Sequence, residues 1–204
     1  MKTLRMNFGL VLFLSLLPAA YAGPAQLSRV EGDVAVLRAG ENQKVTEGMA
    51  LEAGDVLETK TGSADVSLNG LAGFRLLEQS KAEVVSTEIS NTRIRAELGD
   101  ILVRIKEDFK KEKGSSFELE TPTLVAAVRG TQFWGRVGNT GVESMTTLAV
   151  REGEVSLKLK ASGLELNLKA GEAVDASNSL AAPSVRKAVA PELQALEQAE
   201  QIEI

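Results

Sequence analysis

Chemistry in this 204-residue chain would have to come from carboxylates, cations and hydroxyls, because the sequence has 28 Asp and Glu, 23 Lys and Arg, and no His or Cys. The lack of His and Cys removes the commonest general base, the thiol nucleophile and most zinc or haem ligands. A Ser–Lys dyad or a pair of carboxylates that hydrolyses a glycoside is possible in principle. However, the acids fall on alternating strand positions and at chain corners, and the serines lie mainly in polar turns. A glycine-rich phosphate loop is also absent from the sequence. We therefore predict that the protein is not an enzyme and uses no cofactor and no metal.

Four residues are candidates for a binding surface: Arg129, Trp134, Arg136 and Phe109. Arg129 precedes a glycine turn and could bind a carboxylate, although its donors could equally satisfy turn carbonyls. Trp134, the only Trp, is opposite in strand phase to Phe133, so we predict that it faces outward with Arg136. There it could stack on a sugar or anchor a protein partner; the alternative is a second sheet face covered by the C-terminal tail. Phe109 lies in a charged loop and is expected to fold back onto the sheet, with an exposed contact as the alternative.

The stretch that must position three of these candidates is residues 117–137, FELETPTLVAAVRGTQFWGRV. Its first four residues alternate apolar and acidic side chains, which is typical of a half-buried strand. Pro122 then interrupts the ladder because it has no N–H group, and residues 124–128 form an apolar run long enough for a buried strand. A tight turn follows at Gly130 and Thr131, and we predict a positive φ at Gly130. Pro122, Gly130 and Thr131 are therefore interpreted as structural turn residues.

The rest of the chain repeats short alternating segments separated by turn signals. Asn69-Gly70 is a strong hairpin signal, and Ser162-Gly163 marks another turn. A glycine followed by an acid recurs at irregular spacing, and a strand is expected to begin at or just after each pair, at Gly32, Gly54, Gly99, Gly153 and Gly171. Such pairs suit sharp corners and lack the tandem oxygen ligands of a calcium site. We predict an all-β fold, a compact winding β-roll or sandwich of many short strands, with a short C-terminal helix.

Two segments differ from this pattern. Residues 106–116 form a charged loop between alternating strands and are predicted to be a hairpin arm. After the last strand the composition shifts to Ala, Ser and Pro, and residues 187–204 are predicted to contain one short helix. The predicted organisation is an all-β domain over residues 23–176, followed by a linker and a short helix over residues 177–204. We expect the helical segment to be dispensable for the fold.

Residues 1–22 have the three zones of a secretory signal: a start with Lys2 and Arg5, an apolar centre, and a small-x-small site, Ala20-Tyr21-Ala22. The apolar run is too short to span a bilayer. We therefore predict cleavage before Gly23, no membrane span afterwards, and a periplasmic or extracellular location. Cleavage removes two of the 23 basic residues and none of the 28 acids, which leaves a net charge of −7. A negative protein gains no counterion release from nucleic acid, so no nucleic-acid partner is expected.

Four motifs resemble one protein family when they are taken together. They are Thr121-Pro122 with residues 127–133, AVRGTQF; residues 54–59 and 62–68, GDVLET and GSADVSL; residues 97–101, ELGDI; and residues 150–155, VREGEV. The first resembles the TP…VRGT.F signature of the FecR domain, the periplasmic domain of the ferric-citrate transport regulators. The resemblance covers roughly residues 30–174. It implies an all-β extracytoplasmic sensing or binding module that is not an enzyme.

The chain departs from the regulators because only a signal-like segment precedes this domain. The regulators carry a cytoplasmic helical segment that holds a sigma factor, followed by a membrane span, so their anti-sigma activity cannot be transferred to this chain. The leading hypothesis is an exported binding or sensing module of the bacterial envelope with an envelope protein as its partner. One alternative is a structural envelope protein that binds cell-wall glycan or assembles with itself. A glycan-cleaving enzyme is the least favoured alternative.

Overall fold

The computed structural model describes residues 25–128, 130–139, 141 and 143–204; the predicted signal segment, its cleavage site before Gly23, and Arg129 lie outside the described residues. The described part of the chain is dominated by strands, which confirms the predicted all-β class with a short C-terminal helix. The strands are β1 (Ala25–Arg38), β2 (Glu41–Asn42), β3 (Val56–Leu68), β4 (Ala72–Leu76), β5 (Ser80–Ser86), β6 (Thr92–Ile105), β7 (Phe117–Glu120), β8 (Leu124–Val128), β9 (Gln132–Asn139), β10 (Ser144–Glu152), β11 (Glu154–Leu159), β12 (Glu165–Lys169), β13 (Glu172–Ser177) and β14 (Val185–Lys187). The helix α1 is Ala190–Glu197, and short 3₁₀ turns are Ile89–Asn91, Glu107–Lys111 and Gln198–Gln201.

Three long strands, β1, β3 and β6, bend in the middle and each contributes to two sheets. Sheet I has the strand order β2-β1-β3-β5-β6-β7-β8-β11-β12. Sheet II has the order β1-β3-β4-β6-β9-β10-β13-β14. Successive residues of a strand face opposite sides, so alternate side chains of both sheets point inward and form one main core. The result is a two-layer arrangement of the kind predicted.

The bends occur at glycines because the strands approach too closely there for a side chain. Gly32 of β1 pairs with Gly62 of β3, and their φ angles are 72° and 123°. A Cβ atom on Gly32 would lie 2.0 Å from the carbonyl oxygen of Thr61. In β6, Gly99 has a φ of 82°, and its Cβ would lie 2.3 Å from Ser80 Oγ. These contacts exclude any larger residue from the bends that carry the chain between the sheets.

The prediction that strands begin at the glycine–acid pairs is correct at three positions and wrong at two. Gly54, Gly153 and Gly171 come just before β3, β11 and β13. Gly32 and Gly99 instead lie inside β1 and β6. The pairing continues through both glycines: Gly32 pairs with Gly62 of β3, and Gly99 pairs with Val137 of β9.

The segment between β6 and β7 is a crossover connection, and its prediction as a hairpin arm is wrong. β6 and β7 are parallel, with Thr92 beside Phe117, so the intervening chain must return to the end of β6 at which β6 began. The return path includes the 3₁₀ turn Glu107–Lys111. Phe109 in this turn is 1% exposed and packs in the main core. It is therefore a packing residue and not the exposed contact considered as an alternative.

The predicted hairpins are present. Asn69 and Gly70 both have positive φ, 55° and 67°, as the two-residue turn that suits twisted strands requires. They join β3 to β4, which pair antiparallel. Ser162-Gly163 lies between β11 and β12, which also pair antiparallel.

The C-terminal segment packs on the fold and covers the outer face of sheet II. Leu196, Ala199 and Ile202 form a second apolar cluster with residues of that face, namely Leu102, Trp134, Ala149 and Ala173. Removal of residues 187–204 would expose this cluster, and whether the fold survives that removal stays a prediction. No helix in the described residues has the length and apolar composition that a membrane crossing requires.

Candidate functional site

Trp134 lies on the face of β9 that its strand phase predicts, but it is not exposed. Phe133 and Val137 point into the main core, whereas Trp134 points to the outer face of sheet II and is 4% exposed beneath the C-terminal segment. Its indole Nε1 donates a hydrogen bond of 2.9 Å to Asp100 Oδ1. The expected aromatic anchor is therefore absent at this position, and the covered second face is the alternative that the structure shows.

Arg136 supports Trp134 from the same face. Its guanidinium carbon lies 5.2 Å from the centre of the indole ring, close enough for a cation–π contact. Its Nε and Nη2 atoms donate to the two carboxylate oxygens of Asp100 at 2.8 and 3.1 Å. Arg136 is exposed, but one edge of its guanidinium group binds Asp100 and one face lies over the indole ring of Trp134. We interpret it as a residue that holds Trp134 in place, not as a free binding group.

The predicted turn residues are placed at the end of β8 and the start of β9. Gly130 has a φ of 56°, the sign that the sequence predicts, and Pro122 is exposed in the break between β7 and β8. Thr131 is buried, and its Oγ1 has no hydrogen-bond partner among the described residues. A Cβ on Gly153 would lie 2.6 Å from Thr131 Cγ2, so the turn and the corner after β10 touch. A Cβ on Gly130 would lie 2.1 Å from Lys110 Cε, which places the crossover segment beside the same turn.

A cleft of about 970 Å³ opens next to this meeting point. Its floor is a row of neighbours on the outer face of sheet I, Glu118 of β7, Ala127 of β8 and Ser156 of β11, which the strand register places side by side. Its walls come from the crossover segment and from the corners around β11 and β12. The polar residues of the walls are Lys110, Ser115, Ser116, Glu154 and Lys169.

Sequence reasoning missed these cleft residues, although two of its own signals lie at the cleft. The charged loop supplies Lys110, and the Gly153-Glu154 corner supplies the opposite wall. The missing information was the parallel pairing of β6 and β7, which brings the loop across the outer face of sheet I. Alternation within a strand does not reveal which strands pair or in which direction.

Beyond the cleft, the outer face of sheet I carries cross-strand ion pairs. Arg95 of β6 binds Glu83 of β5 at 2.5 Å and Glu120 of β7 at 3.3 Å, and Lys160 binds Glu120 at 2.7 Å. Burial tends to raise the pKa of Glu120, but the hydrogen bonds and charges of Lys160 and Arg95 outweigh it, so the pKa lies below its ordinary value. Glu120 is therefore ionised at neutral pH. Because positive and negative side chains alternate on this face, their electrostatic potentials largely cancel. A ligand would therefore meet individual hydrogen-bonding groups and not a surface of one charge.

The geometry of the described residues bears on two kinds of site, a metal site and a sugar-stacking site. No group of three or more Asp or Glu side chains within them is placed to hold a metal ion. Every aromatic residue of the described part is buried, namely Phe74, Phe109, Phe117, Phe133 and Trp134, so that part offers no exposed ring on which a sugar could stack. The cleft instead presents ammonium, carboxylate and hydroxyl groups around a small exposed alanine.

The fold and the cleft define a two-layer β domain with an open cleft beside a glycine turn. The chain matches the FecR protein family over residues 55–156, half of its length, and it belongs to that family. The match lies within residues 30–174, the range over which the sequence resembles the family.

Two solved structures of a candidate anti-sigma factor from Parabacteroides distasonis ATCC 8503, at 1.65 and 2.50 Å resolution, have the same fold. Each is 16% identical in sequence, and their TM-scores are 0.56 and 0.57. The alignments cover 70% of this chain and 64% of the solved chains, so this chain spans somewhat less than two thirds of their length. No curated protein matches the chain.

Proposed function

We propose that this protein is an exported, non-enzymatic binding or sensing module of the bacterial envelope, and that it binds a protein partner in the cleft on sheet I. One observation carries the proposal: the two family-like motifs around Gly130 and Gly153 meet at the cleft, with Thr131 packed between them. These motifs would be expected to build the part of the fold that the family uses. The export signal and the resemblance to periplasmic domains support an envelope location.

The chemistry of the cleft supports a polypeptide partner over a glycan. Lys169 can bind a carboxylate, Glu154 can bind a cation, and the serine oxygens can accept backbone N–H groups. Lys110 and Glu118 already pair with Glu107 and Arg93, so a partner would have to share or replace those contacts. The exposed Ala127 at the centre leaves room for an inserted side chain. A glycan site would be expected to add an aromatic platform, which the described residues do not provide at this surface.

A matched pair of substitutions tests the proposal. Ala127→Arg fills the floor of the cleft, and Ala161→Arg adds the same side chain to the exposed turn between β11 and β12. With the exported protein as bait in envelope extracts, we expect one stoichiometric protein partner for wild type and Ala161→Arg, and at least a tenfold loss of it for Ala127→Arg. Equal capture by both variants would place the binding surface elsewhere.

Two further measurements separate the competing functions. Co-sedimentation with purified peptidoglycan, without a protein partner, would instead support the structural envelope protein. Turnover of any glycan would contradict a non-enzymatic module.

The location has its own test: the intact mass of the protein from the envelope fraction should correspond to a chain beginning at Gly23, and a retained Met1 would contradict export with cleavage.

A further inference from the structure

The outer face of sheet II contains a groove that the C-terminal segment, residues 190–204, fills. The segment begins with α1, which packs on β9 and β10, continues with the 3₁₀ turn Gln198–Gln201 over β6 and β9, and ends beside β4. Leu196 is 1% exposed and Ile202 is 2% exposed, and both pack in the cluster around Trp134. Leu193, one turn before Leu196 in the same helix, is 45% exposed. The segment therefore buries one face in the groove and leaves the other in solvent.

The groove holds this segment through its backbone as well as through the ion pairs Arg151–Glu200 and Arg186–Glu192. Arg151 Nη1 donates to the carbonyl oxygen of Leu196 at 3.1 Å, and Arg104 Nη1 donates to that of Glu200 at 3.0 Å. Arg75 Nη2 and Lys106 Nζ donate at 3.1 and 3.2 Å to the carbonyl oxygens of residues 201 and 204. Carbonyl groups are common to every polypeptide, so these four cations could hold another peptide in the same way.

Two features show that the groove is shaped for a closely lying chain. Gly73 of β4 has no side chain, and a Cβ there would lie 2.9 Å from Ile204 Cγ1 and 3.3 Å from Ile202 Cγ2. Beneath the segment, Arg75 and Asp65 form a buried bidentate ion pair at 2.5 and 2.7 Å. Such a pair needs a cover that also satisfies its remaining donors, which here is a backbone carbonyl.

The resident segment is attached in a way that permits exchange. Residues 178–184 connect it to β13 and are exposed apart from the half-buried Pro183. Between this connection and α1, the three-residue strand β14 pairs with β13, and its Arg186 binds Glu192 of the segment at 2.6 Å, a contact that must break on release. Charge is also complementary, since residues 190–204 contain four Glu and no Lys or Arg, opposite the cationic rim of the groove.

We propose that this groove is a binding site for an acidic, amphipathic polypeptide segment, and that residues 190–204 occupy it in cis until such a segment displaces them. The site lies on the opposite sheet from the cleft and does not depend on the function proposed above. Release of the resident segment exposes Trp134, the apolar cluster and the four cations together. The backbone carbonyl groups of the partner would accept hydrogen bonds from the four cations. Two of its apolar side chains would fill the positions of Leu196 and Ile202, and its acidic residues would lie at the cationic rim.

The test uses the full chain and a fluorescein-labelled peptide with the sequence of residues 190–204 as the probe. The double variant Leu196→Asp, Ile202→Asp releases the resident segment and leaves the groove intact. We expect this variant to bind the probe at least tenfold more tightly than wild type, with Trp134 emission red-shifted before and blue-shifted after binding. Leu193→Asp, the matched control on the exposed side of the same helix, should behave as wild type. Adding Arg104→Glu to the double variant should weaken probe binding at least tenfold.

Failure of the folded, red-shifted double variant to bind the probe would overturn the proposal, as would equal binding by wild type. If the double variant does not fold, a wild-type chain with a protease site in residues 178–184 provides the second measurement. After cleavage, the labelled probe should exchange with the resident fragment while the far-ultraviolet circular dichroism spectrum keeps its β signal. Loss of the β signal on dissociation would show that the segment is an integral part of the fold, and would refute displacement. Ala127→Arg should leave probe binding unchanged, which separates this result from the test of the cleft.

Discussion

Replacing Gly32 with Ala should destabilise the protein far more than the same change at Gly40, although the two glycines have similar φ angles of 72° and 82°. Both substitutions force an L-residue into the left-handed region, at a cost of roughly 1–2 kcal/mol. A Cβ on Gly40 would meet nothing within 4 Å, whereas a Cβ on Gly32 would lie 2.0 Å from Thr61 O. This oxygen is part of the backbone of β3, and the backbone cannot move away without breaking the pairing of β3 with β1.

The steric conflict adds about 1–3 kcal/mol, the usual cost of overpacking. The expected loss of unfolding free energy is therefore about 2–5 kcal/mol for Gly32→Ala and about 1–2 kcal/mol for Gly40→Ala. Urea unfolding followed by the fluorescence of the single Trp measures both. Equal losses of unfolding free energy for the two variants would refute the reasoning, because they would mean that β1 and β3 do not approach each other at Gly32 as closely as the structure shows. At about 2–4 °C per kcal/mol for a chain of this size, thermal melting should give the same order.

Three further predictions test the packing and the tail. Trp134→Ala should cost about 3–5 kcal/mol in urea unfolding followed by circular dichroism, as for a buried Trp; a loss below about 1 kcal/mol would indicate an exposed ring. Gly130→Val should lower stability by roughly 1–3 kcal/mol through backbone strain, and equal melting temperatures would contradict this. The hydrogen bond from Arg186 holds the pKa of Glu192 below its ordinary value of 4.5, against the opposing effect of burial. The stabilisation by a depressed carboxyl pKa is present above the unfolded value and is lost as the pH falls through the folded one. Trp134 emission should therefore shift to the red below about pH 4.5, and Glu192→Gln should reduce that shift; a pH-independent emission would show that the Arg186–Glu192 ion pair does not hold the C-terminal segment over Trp134.

Features set by local sequence were predictable. The positive φ angles of Asn69, Gly70 and Gly130 follow from residue type and position, because a tight turn leaves few alternatives. Strand alternation placed Phe133 and Trp134 on opposite faces of β9, as the structure has them. In each case the deciding forces act within a few residues along the chain.

Features set by distant contacts were not predictable. A glycine–acid pair has the same local sequence at Gly99, inside a strand, as at Gly153, between strands. The difference lies in the pairing: Gly99 is itself paired with Val137 of β9, whereas at Gly153 the ladders of β10 end and those of β11 begin. The covering of Trp134 likewise depends on residues about 60 positions away in the chain, and a helix this short does not determine its own docking site.

The acids of the glycine–acid pairs explain why these corners recur. Asp55 accepts the backbone N–H of Glu52 at 2.9 Å, and Glu172 accepts that of Lys169 at 2.8 Å, as expected for turn acids. Asp55 also receives two hydrogen bonds from Arg38, at 2.8 and 2.7 Å. The carboxylate of Asp55 therefore closes its own turn and also connects that turn to Arg38 of β1. A glycine or an asparagine at this position could form the turn but could not make the ion pair.

Asp100 carries this second role to the outer face of sheet II. Gly99 allows β6 to bend, and Asp100 directly after it receives the indole N–H of Trp134 and both donors of Arg136. Asp100 thus neutralises the charge of Arg136 within the protein. The presence of Arg136 two residues after Trp134 therefore does not require the outer face of sheet II to be exposed to solvent. With its N–H bound to Asp100, the indole is fixed beneath Leu196 and the other apolar residues of the tail. One glycine–acid pair therefore bends a strand between the two sheets and also builds the floor of the groove that the C-terminal segment fills.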